Sequence, residues 1–356
     1  MVKDDSMYDL QLLGEIMALR KGKRPASIVD VAKIAGVSHQ TVSRVLNNPS
    51  SVRETTLQSV RDAIRITGYQ RNENARMLRS SKPDTIGILV PSSSKTGPIQ
   101  VLWSLERAAS INDYSIKVAM QENSMKESSV RAINKLLSFD VAAIIVVAEQ
   151  SWQEPMVRTI SDLPIISAGG SFTNLPDVSY VDMDQRQGVS LLMSHLVDQG
   201  CRSIDFVNGP EGWYSTVKRF EGWSTFRHDG QAVTGHLYQG DWSAQSGYQA
   251  GISIARNLPD GVIAANDEMA YGVIRAFRDR GIRVPDDVKV CGYDDLPVDS
   301  FVTPSLTSIQ QGFDEMAALS LDVAIKKIKD PDMDPVRRGI APKLCIRESS
   351  TSLGHR

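Results

Sequence analysis

From Ile86 to Cys291 short apolar runs alternate with helical stretches, and that rhythm limits the possible folds more than any other feature of the sequence. The runs are Ile86–Val90, Ile116–Met120, Val141–Ala148, Ile165–Ala168, Ile204–Val207, Val262–Ala265 and Val288–Cys291. A strand covered on one face alternates apolar and polar residues. A continuous apolar run needs cover on both faces, which parallel sheets built from βαβ units provide. The chain has 356 residues, and at roughly 100–200 residues per domain the alternating part is too long for one, so two lobes are expected.

The preceding stretch, 27–69, has a different period and reads as three short helices. Ser27-Ile28-Val29-Asp30 has the form of a capping box, and Val31, Ile34 and Ala35 give the first helix an apolar face. Gly36 suits a tight turn, and Ser38 caps a second helix that runs from His39 to about Leu46 and stops at Asn47-Asn48-Pro49. Leu57, Val60 and Ile64 stripe a third helix, with Gly68 placed to end it. Residues 1–26 are polar, close on the basic run Lys21-Gly22-Lys23-Arg24-Pro25, and read as a mobile extension. Residues 70–84 are basic and polar, a linker by composition.

Charge separates the same regions. Residues 21–82 carry twelve Lys and Arg against four Asp and Glu, a local charge of +8. The whole chain sums to −2, so the remaining residues sum to −10. A basic module on an acidic body is the electrostatic footprint of nucleic-acid binding.

The run from Ile28 to Asn48, IVDVAKIAGVSHQTVSRVLNN, resembles the helix-turn-helix of the LacI/GalR family of transcriptional regulators almost residue for residue. Ala32, Val37, Val42 and Val45 lock the two helices across the turn. The resemblance implies that the second helix lies in the DNA major groove, with its N-terminal residues on base edges. Ser38, His39, Gln40, Thr41, Ser43, Arg44 and Asn47 are then the DNA-contacting set. Gln40 is suited to adenine, Arg44 to guanine, and Thr41 and Asn47 to phosphate oxygens. Asn72-Glu-Asn-Ala-Arg-Met-Leu78 resembles the family's hinge, in which a short helix orders on the operator and a leucine wedges open a minor-groove base step. This assigns Leu78 as the wedge, with Asn72 and Ala75 beside it, and Arg76 and Arg79 near the backbone.

The resemblance continues to about residue 350 and is densest in Gly240–Tyr248, Ala265–Gly272 and Cys291–Asp295. It implies a periplasmic-binding-protein-like core with parallel sheets and an effector held between its lobes. Residue by residue it assigns Arg219, Trp242, Asn266, Asp294, Gln311 and Phe313 to a sugar site, with Lys95 and Gly169 on the first-lobe side. Planar Asn, Asp, Arg and Gln groups pair with vicinal hydroxyls, and an aromatic face packs on the C–H face of a pyranose. Of the adjacent acids, Asp294 rather than Asp295 is expected to face the ligand. The first lobe departs from the family pattern. Where an acidic sugar contact is implied, the chain reads Ser167-Ala168-Gly169-Gly170, and Lys95 and Thr96 replace apolar or imidazole groups.

The expected architecture is therefore an N-terminal all-α helix-turn-helix domain joined to a two-lobed α/β core. The expected spans are 1–26 for the extension, 27–71 for the DNA reader and 72–84 for the hinge. The first lobe is expected over 85–181 and 313–340, the second over 182–312 and 341–356. The partners implied are pseudo-palindromic operator DNA, a small sugar effector and a second copy of the chain. The hinge motif works as a pair, and no leucine-heptad tail follows Lys343–Arg347, so a dimer is expected. No cofactor, metal or membrane is expected.

Other classes are disfavoured. His39, His195, His228, His236 and His355 show no metal-ligand spacing, and no nucleophile elbow, GxGxxG or P-loop occurs. A glycosidase needs two placed carboxylates. A secreted sugar-binding protein would share the core, but the N-terminus lacks an apolar signal region, so a cytoplasmic protein is expected. Cys201, Cys291 and Cys345 form no disulfide framework. A regulator whose ligand strengthens operator binding stays open as the alternative to an induced repressor.

Overall fold

The structure, a computed structural model, describes residues 26–69, 84–92, 95–121, 126–147, 150, 153, 157, 163–172 and 174–351. The proposed extension up to Pro25 and the hinge residues Asn72, Ala75, Arg76, Leu78 and Arg79 lie outside them. The chain divides into two compact units, Met1–Ser81 and Lys82–Arg356.

In the first unit α1 (Ile28–Ala35), α2 (His39–Asn47) and α3 (Glu54–Thr67) pack around Val31, Ala32, Val42, Val45, Leu57, Val60 and Ala63. Ser27 and Asp30 form a reciprocal capping box, and Gly36 ends α1 in the left-handed region at φ 67°. Only glycine adopts that conformation without cost, which is why the turn sits there. Ile34 departs from expectation. It is 51% exposed, and the buried face of α1 is carried by Val31 and Ala32 with Ala35 packed alongside.

The second unit holds two parallel sheets. The larger has the order β13-β5-β4-β3-β1-β2, formed by β1 (Thr85–Pro91), β2 (Ser115–Gln121), β3 (Ala143–Val147), β4 (Ile165–Ala168), β5 (Ser179–Met183) and β13 (Arg337–Ile340). Helices α4 (Thr96–Ile111) and α10 (Phe313–Lys329) cover one face, and α5 (Lys126–Leu137) covers the other. The smaller sheet has the order β11-β10-β6-β9, formed by β6 (Ile204–Asn208), β9 (Leu237–Gln239), β10 (Gly261–Ala264) and β11 (Lys289–Cys291). Its core draws on α6 (Gln185–Asp198), α8 (Ala244–Ile254) and α9 (Asp267–Arg278). Between β6 and β9 lie α7 (Tyr214–Ser224) and a short antiparallel hairpin, β7 (Arg227–His228) with β8 (Gln231–Ala232).

The seven apolar runs correspond to β1, β2, β3, β4, β6, β10 and β11. The strands without such a run are mostly less covered. Arg337, Arg338 and Gly339 of β13 are exposed on a sheet edge, and Leu237 and Gln239 of β9 are exposed on the edge of the other sheet. The chain passes between the sheets three times: after β5, between β12 (Ser308–Gln310) and α10, and between β13 and β14 (Lys343–Cys345). Strands β12 and β14 pair antiparallel.

Candidate functional site

In the first unit Ser38 caps α2, its Oγ accepting from the Thr41 backbone N–H at 3.1 Å. Val42 and Val45 face the core, and this fixes the opposite side of the helix outward. His39, Gln40 and Arg44 are exposed, Thr41 and Ser43 are half-buried, and Asn47 closes the helix. A helix end carrying an amide and a guanidinium on its exposed side has the donors and acceptors needed to read base edges.

The second unit holds a half-open cleft with about 630 Å³ of empty space, part of it continuous with solvent. Lys95, Gly169, Arg219, Trp242, Asn266, Asp294, Gln311 and Phe313 all line it. So do Thr96, Pro98, Val101, Met183, Gln185, Trp213, Ser215, Glu268 and Met316. Topology explains the convergence. In parallel α/β sheets the loops leaving the carboxyl ends of strands form the ligand crevice. Lys95 follows β1, Gly169 follows β4 and Gln185 follows β5; Trp242, Asn266 and Asp294 follow β9, β10 and β11.

The second-lobe wall is polar and tightly held. Arg219 is 4% exposed. It donates from Nε to Gln185 Oε1 at 2.8 Å and from Nη1 to the Ala265 carbonyl, and its guanidinium lies 3.7 Å from the Tyr293 ring centroid. Gln311 Nε2 donates to Asp294 Oδ1 at 2.5 Å, and Arg219 Nη2 stands 3.8 Å from the same oxygen. Burial pushes the Asp294 carboxyl up to about 6, against the downward pull of Arg219 and Gln311. Asn266 Oδ1 caps α9 by accepting from Met269 N at 3.0 Å, while Nδ2 donates to the Trp242 carbonyl at 3.0 Å. This leaves one amide hydrogen of Asn266 for a ligand.

Trp242 forms the aromatic wall. It takes a left-handed backbone, φ 71°, unusual for a large side chain, and meets Trp213 edge-on with ring centroids 5.7 Å apart. Gly209 makes room for it, since a Cβ there would lie 2.1 Å from the indole. Asp295 turns away from the cavity and pairs with Arg347 at 2.6 Å, so Asp294 is the acid of the pair that lines it. Asp267, also fully buried, accepts from Ser308 Oγ at 2.6 Å and from Leu296 N at 3.1 Å, behind the cavity wall.

The first-lobe wall is mostly apolar. Its polar groups reach across to the second lobe: Lys95 Nζ donates to the Asp241 carbonyl at 2.9 Å, and Thr96 Oγ1 donates to Glu268 Oε1 at 3.2 Å. Gln185, Glu268 and Trp213 were not singled out from the sequence. Gln185 lies in the polar run Asp184-Gln185-Arg186-Gln187, and nothing local marks which of the four faces inward. Among the described residues no group of three His, Cys, Asp or Glu could hold a metal ion, and no helix is long and apolar enough to cross a membrane.

A helix-turn-helix reader and a two-lobed α/β core with a cleft walled by polar groups on one side and apolar groups on the other, in one chain, define the class of ligand-responsive DNA-binding regulators. Residues 27–72 match the family model for bacterial regulatory proteins of the lacI family, and residues 193–350 match that for a periplasmic binding protein-like domain. The lactose operon repressor of Escherichia coli K12 is 32% identical over 311 residues, 84% of each chain. The ribose operon repressor of the same organism is 29% identical over 91% of this chain and 100% of its own. The crystal structure of the Lac repressor dimer bound to operator and the anti-inducer ONPF is 29% identical. It superposes with a TM-score of 0.77, covering 92% of this chain and all of that one. The structure of the transcriptional regulator CelR in complex with cellobiose, 26% identical, gives a TM-score of 0.63 over 92% of this chain and all of that one. The chain belongs to the LacI family of bacterial regulatory proteins and is a DNA-binding transcriptional repressor.

Proposed function

We propose that this protein represses carbohydrate-utilisation genes, binding a pseudo-palindromic operator as a homodimer in the cytoplasm and leaving it when a sugar fills the cavity. The observation that carries the sugar reading is the opposition of two walls. Arg219, Asn266, Asp294 and Gln311 set planar donors and acceptors beside Trp242, while Pro98, Val101, Phe313 and Met316 stand opposite. A pyranose has the matching edge of hydroxyls and a C–H face. The relatives support the same reading, since their names refer to lactose, ribose and cellobiose.

His39, Gln40, Ser43 and Arg44 read bases, Ser38, Thr41 and Asn47 hold the backbone, and Leu78 with Asn72 and Ala75 forms the minor-groove hinge. The lobes span 85–181 with 313–340 and 182–312 with 341–356. The protein binds its ligand without transforming it. The deciding experiment is fluorescence anisotropy on operator DNA titrated with sugars that stabilise the protein in a thermal-shift screen of mono- and disaccharides. A sugar that releases the DNA supports induction. A sugar that tightens binding makes the protein a corepressed regulator, and the absence of any stabilising sugar ends the sugar reading.

A further inference from the structure

Four side chains at the cavity close into a ring. Arg219 Nε donates to Gln185 Oε1 at 2.8 Å, and Gln185 Nε2 donates to Gln311 Oε1 at 3.1 Å. Gln311 Nε2 donates to Asp294 Oδ1 at 2.5 Å, and that oxygen faces Arg219 Nη2 at 3.8 Å. Gln185 is 7% exposed and is the first residue of α6, immediately after the chain leaves the larger sheet. Gln311 stands where the chain returns, between β12 and α10. One amide–amide hydrogen bond therefore ties two of the three crossing segments to each other. The third is close by, since Asp184 N donates to the Ile340 carbonyl at 3.0 Å.

We infer that Gln185 is a positioning residue that converts ligand contact at Arg219 and Asp294 into movement of the crossing segments between the lobes. This rests on the sugar reading above. Arg219 has little freedom of its own, held by the Ala265 carbonyl and the Tyr293 ring. A hydroxyl that takes up Asp294 or the free edge of Arg219 therefore rebalances the bonds to Gln311 and Gln185. An amide suits this position because it accepts from a guanidinium at one atom and donates to a carbonyl at the other. A carboxylate there would keep the first bond and lose the second; an alkyl group would lose both. A ligand shifts an equilibrium only through contacts that differ between its states, and this ring is where such a difference reaches both crossings.

The test uses the full chain, its operator and a sugar chosen because it stabilises the wild-type protein in the thermal-shift panel. For wild type, Gln185→Glu and Gln185→Leu, operator Kd is measured with and without saturating sugar, and sugar Kd by calorimetry. The informative quantity is the ratio of the two operator Kd values. A residue that only supported the fold would lower the melting temperature or the sugar affinity and leave that ratio intact at saturation. The expected result is a ratio reduced at least tenfold in both variants, with Gln185→Glu keeping sugar Kd closer to wild type than Gln185→Leu. Ratios within twofold of wild type overturn the inference. If Gln185→Leu does not fold, Gln185→Glu alone decides. If no sugar in the panel stabilises the wild type, the sugar reading fails and the inference fails with it, a result separate from any property of the variants.

Discussion

Asp294 and Arg219 show how one side chain's environment sets its role. Both are almost fully buried, and each satisfies part of the other's charge. Replacing either by alanine removes charge-assisted hydrogen bonds worth ~1.5–3 kcal/mol. Sugar affinity should fall correspondingly while operator repression persists, and calorimetry beside anisotropy checks both halves. On the DNA side Arg44→Ala should cost ~1–3 kcal/mol on the preferred operator and relax one base position. Equal weakening on random DNA would reduce Arg44 to a phosphate contact. Burial also pushes Asp182 up to about 7, well above its usual 3.8. A carboxyl raised on folding holds its proton longer in the native state, so its contribution favours folding at low pH and is lost as pH rises from about 4 to about 7. Asp294 acts in the same sense up to about 6. Relative to Asp182→Asn, the wild-type melting temperature should therefore drop between pH 5 and pH 8; equal slopes would show that Asp182 is not a source of the pH dependence. Asp294 was assigned to the site by the family resemblance of the sequence. It was also preferred there to Asp295, and the fold supplies the reason: Arg347 draws Asp295 away.

At the scale of elements, the caps decide which backbone groups are satisfied. Ser27 and Asp30 exchange hydrogen bonds at the start of α1, with Ser27 N donating to Asp30 Oδ2 at 2.8 Å. Ser27→Ala leaves that helix end underpaired and should destabilise the first unit by ~1 kcal/mol, read as a lower denaturation midpoint at unchanged slope. Such local features were legible because they depend on residues three or four apart. Most of the apolar strands were legible for a related reason: a strand buried on both faces shows its burial in its own composition; β2 is the exception, an edge strand whose Met120 is 64% exposed. Strand β13 carries no such mark, since three of its four residues are exposed and its place is set by β5 beside it. Ile34 was misread because helical spacing gives the width of an apolar stripe and not its centre. Packing against α3 centres the buried face of α1 on Val31 and Ala32.

For the whole molecule, the +8 of residues 21–82 should govern DNA binding through counterion release. Log affinity should fall linearly with log salt, by roughly 0.9 per phosphate contacted, and a flat dependence in anisotropy titrations would remove phosphate neutralisation as the source of affinity. Sugar and operator should also oppose each other reciprocally. A coupling of ~3 kcal/mol, about 150-fold, lies within the ordinary range for allostery, and linkage requires the same factor in both directions. Sugar affinity measured with and without saturating operator checks this. Unequal factors in the two directions would mean that a further equilibrium, such as dimer dissociation, intervenes.

The sequence by itself determined the three-helix reader, the two lobes of parallel strands, the outward set on α2 and the eight residues gathered at the cavity. The first three are written in periodicity, in caps or in motifs contiguous along the chain, while the eight cavity residues are those that the family resemblance implied. Only the tertiary structure decided that Gln185 joins Arg219 to Gln311, that Glu268 accepts from Thr96 across the cleft, and that Gly209 makes way for Trp242. Those partners are 34, 126 and 172 residues apart in the bonded pairs. A contact at such separation leaves no local pattern; it exists because three crossings of the chain bring the carboxyl ends of two sheets to face each other.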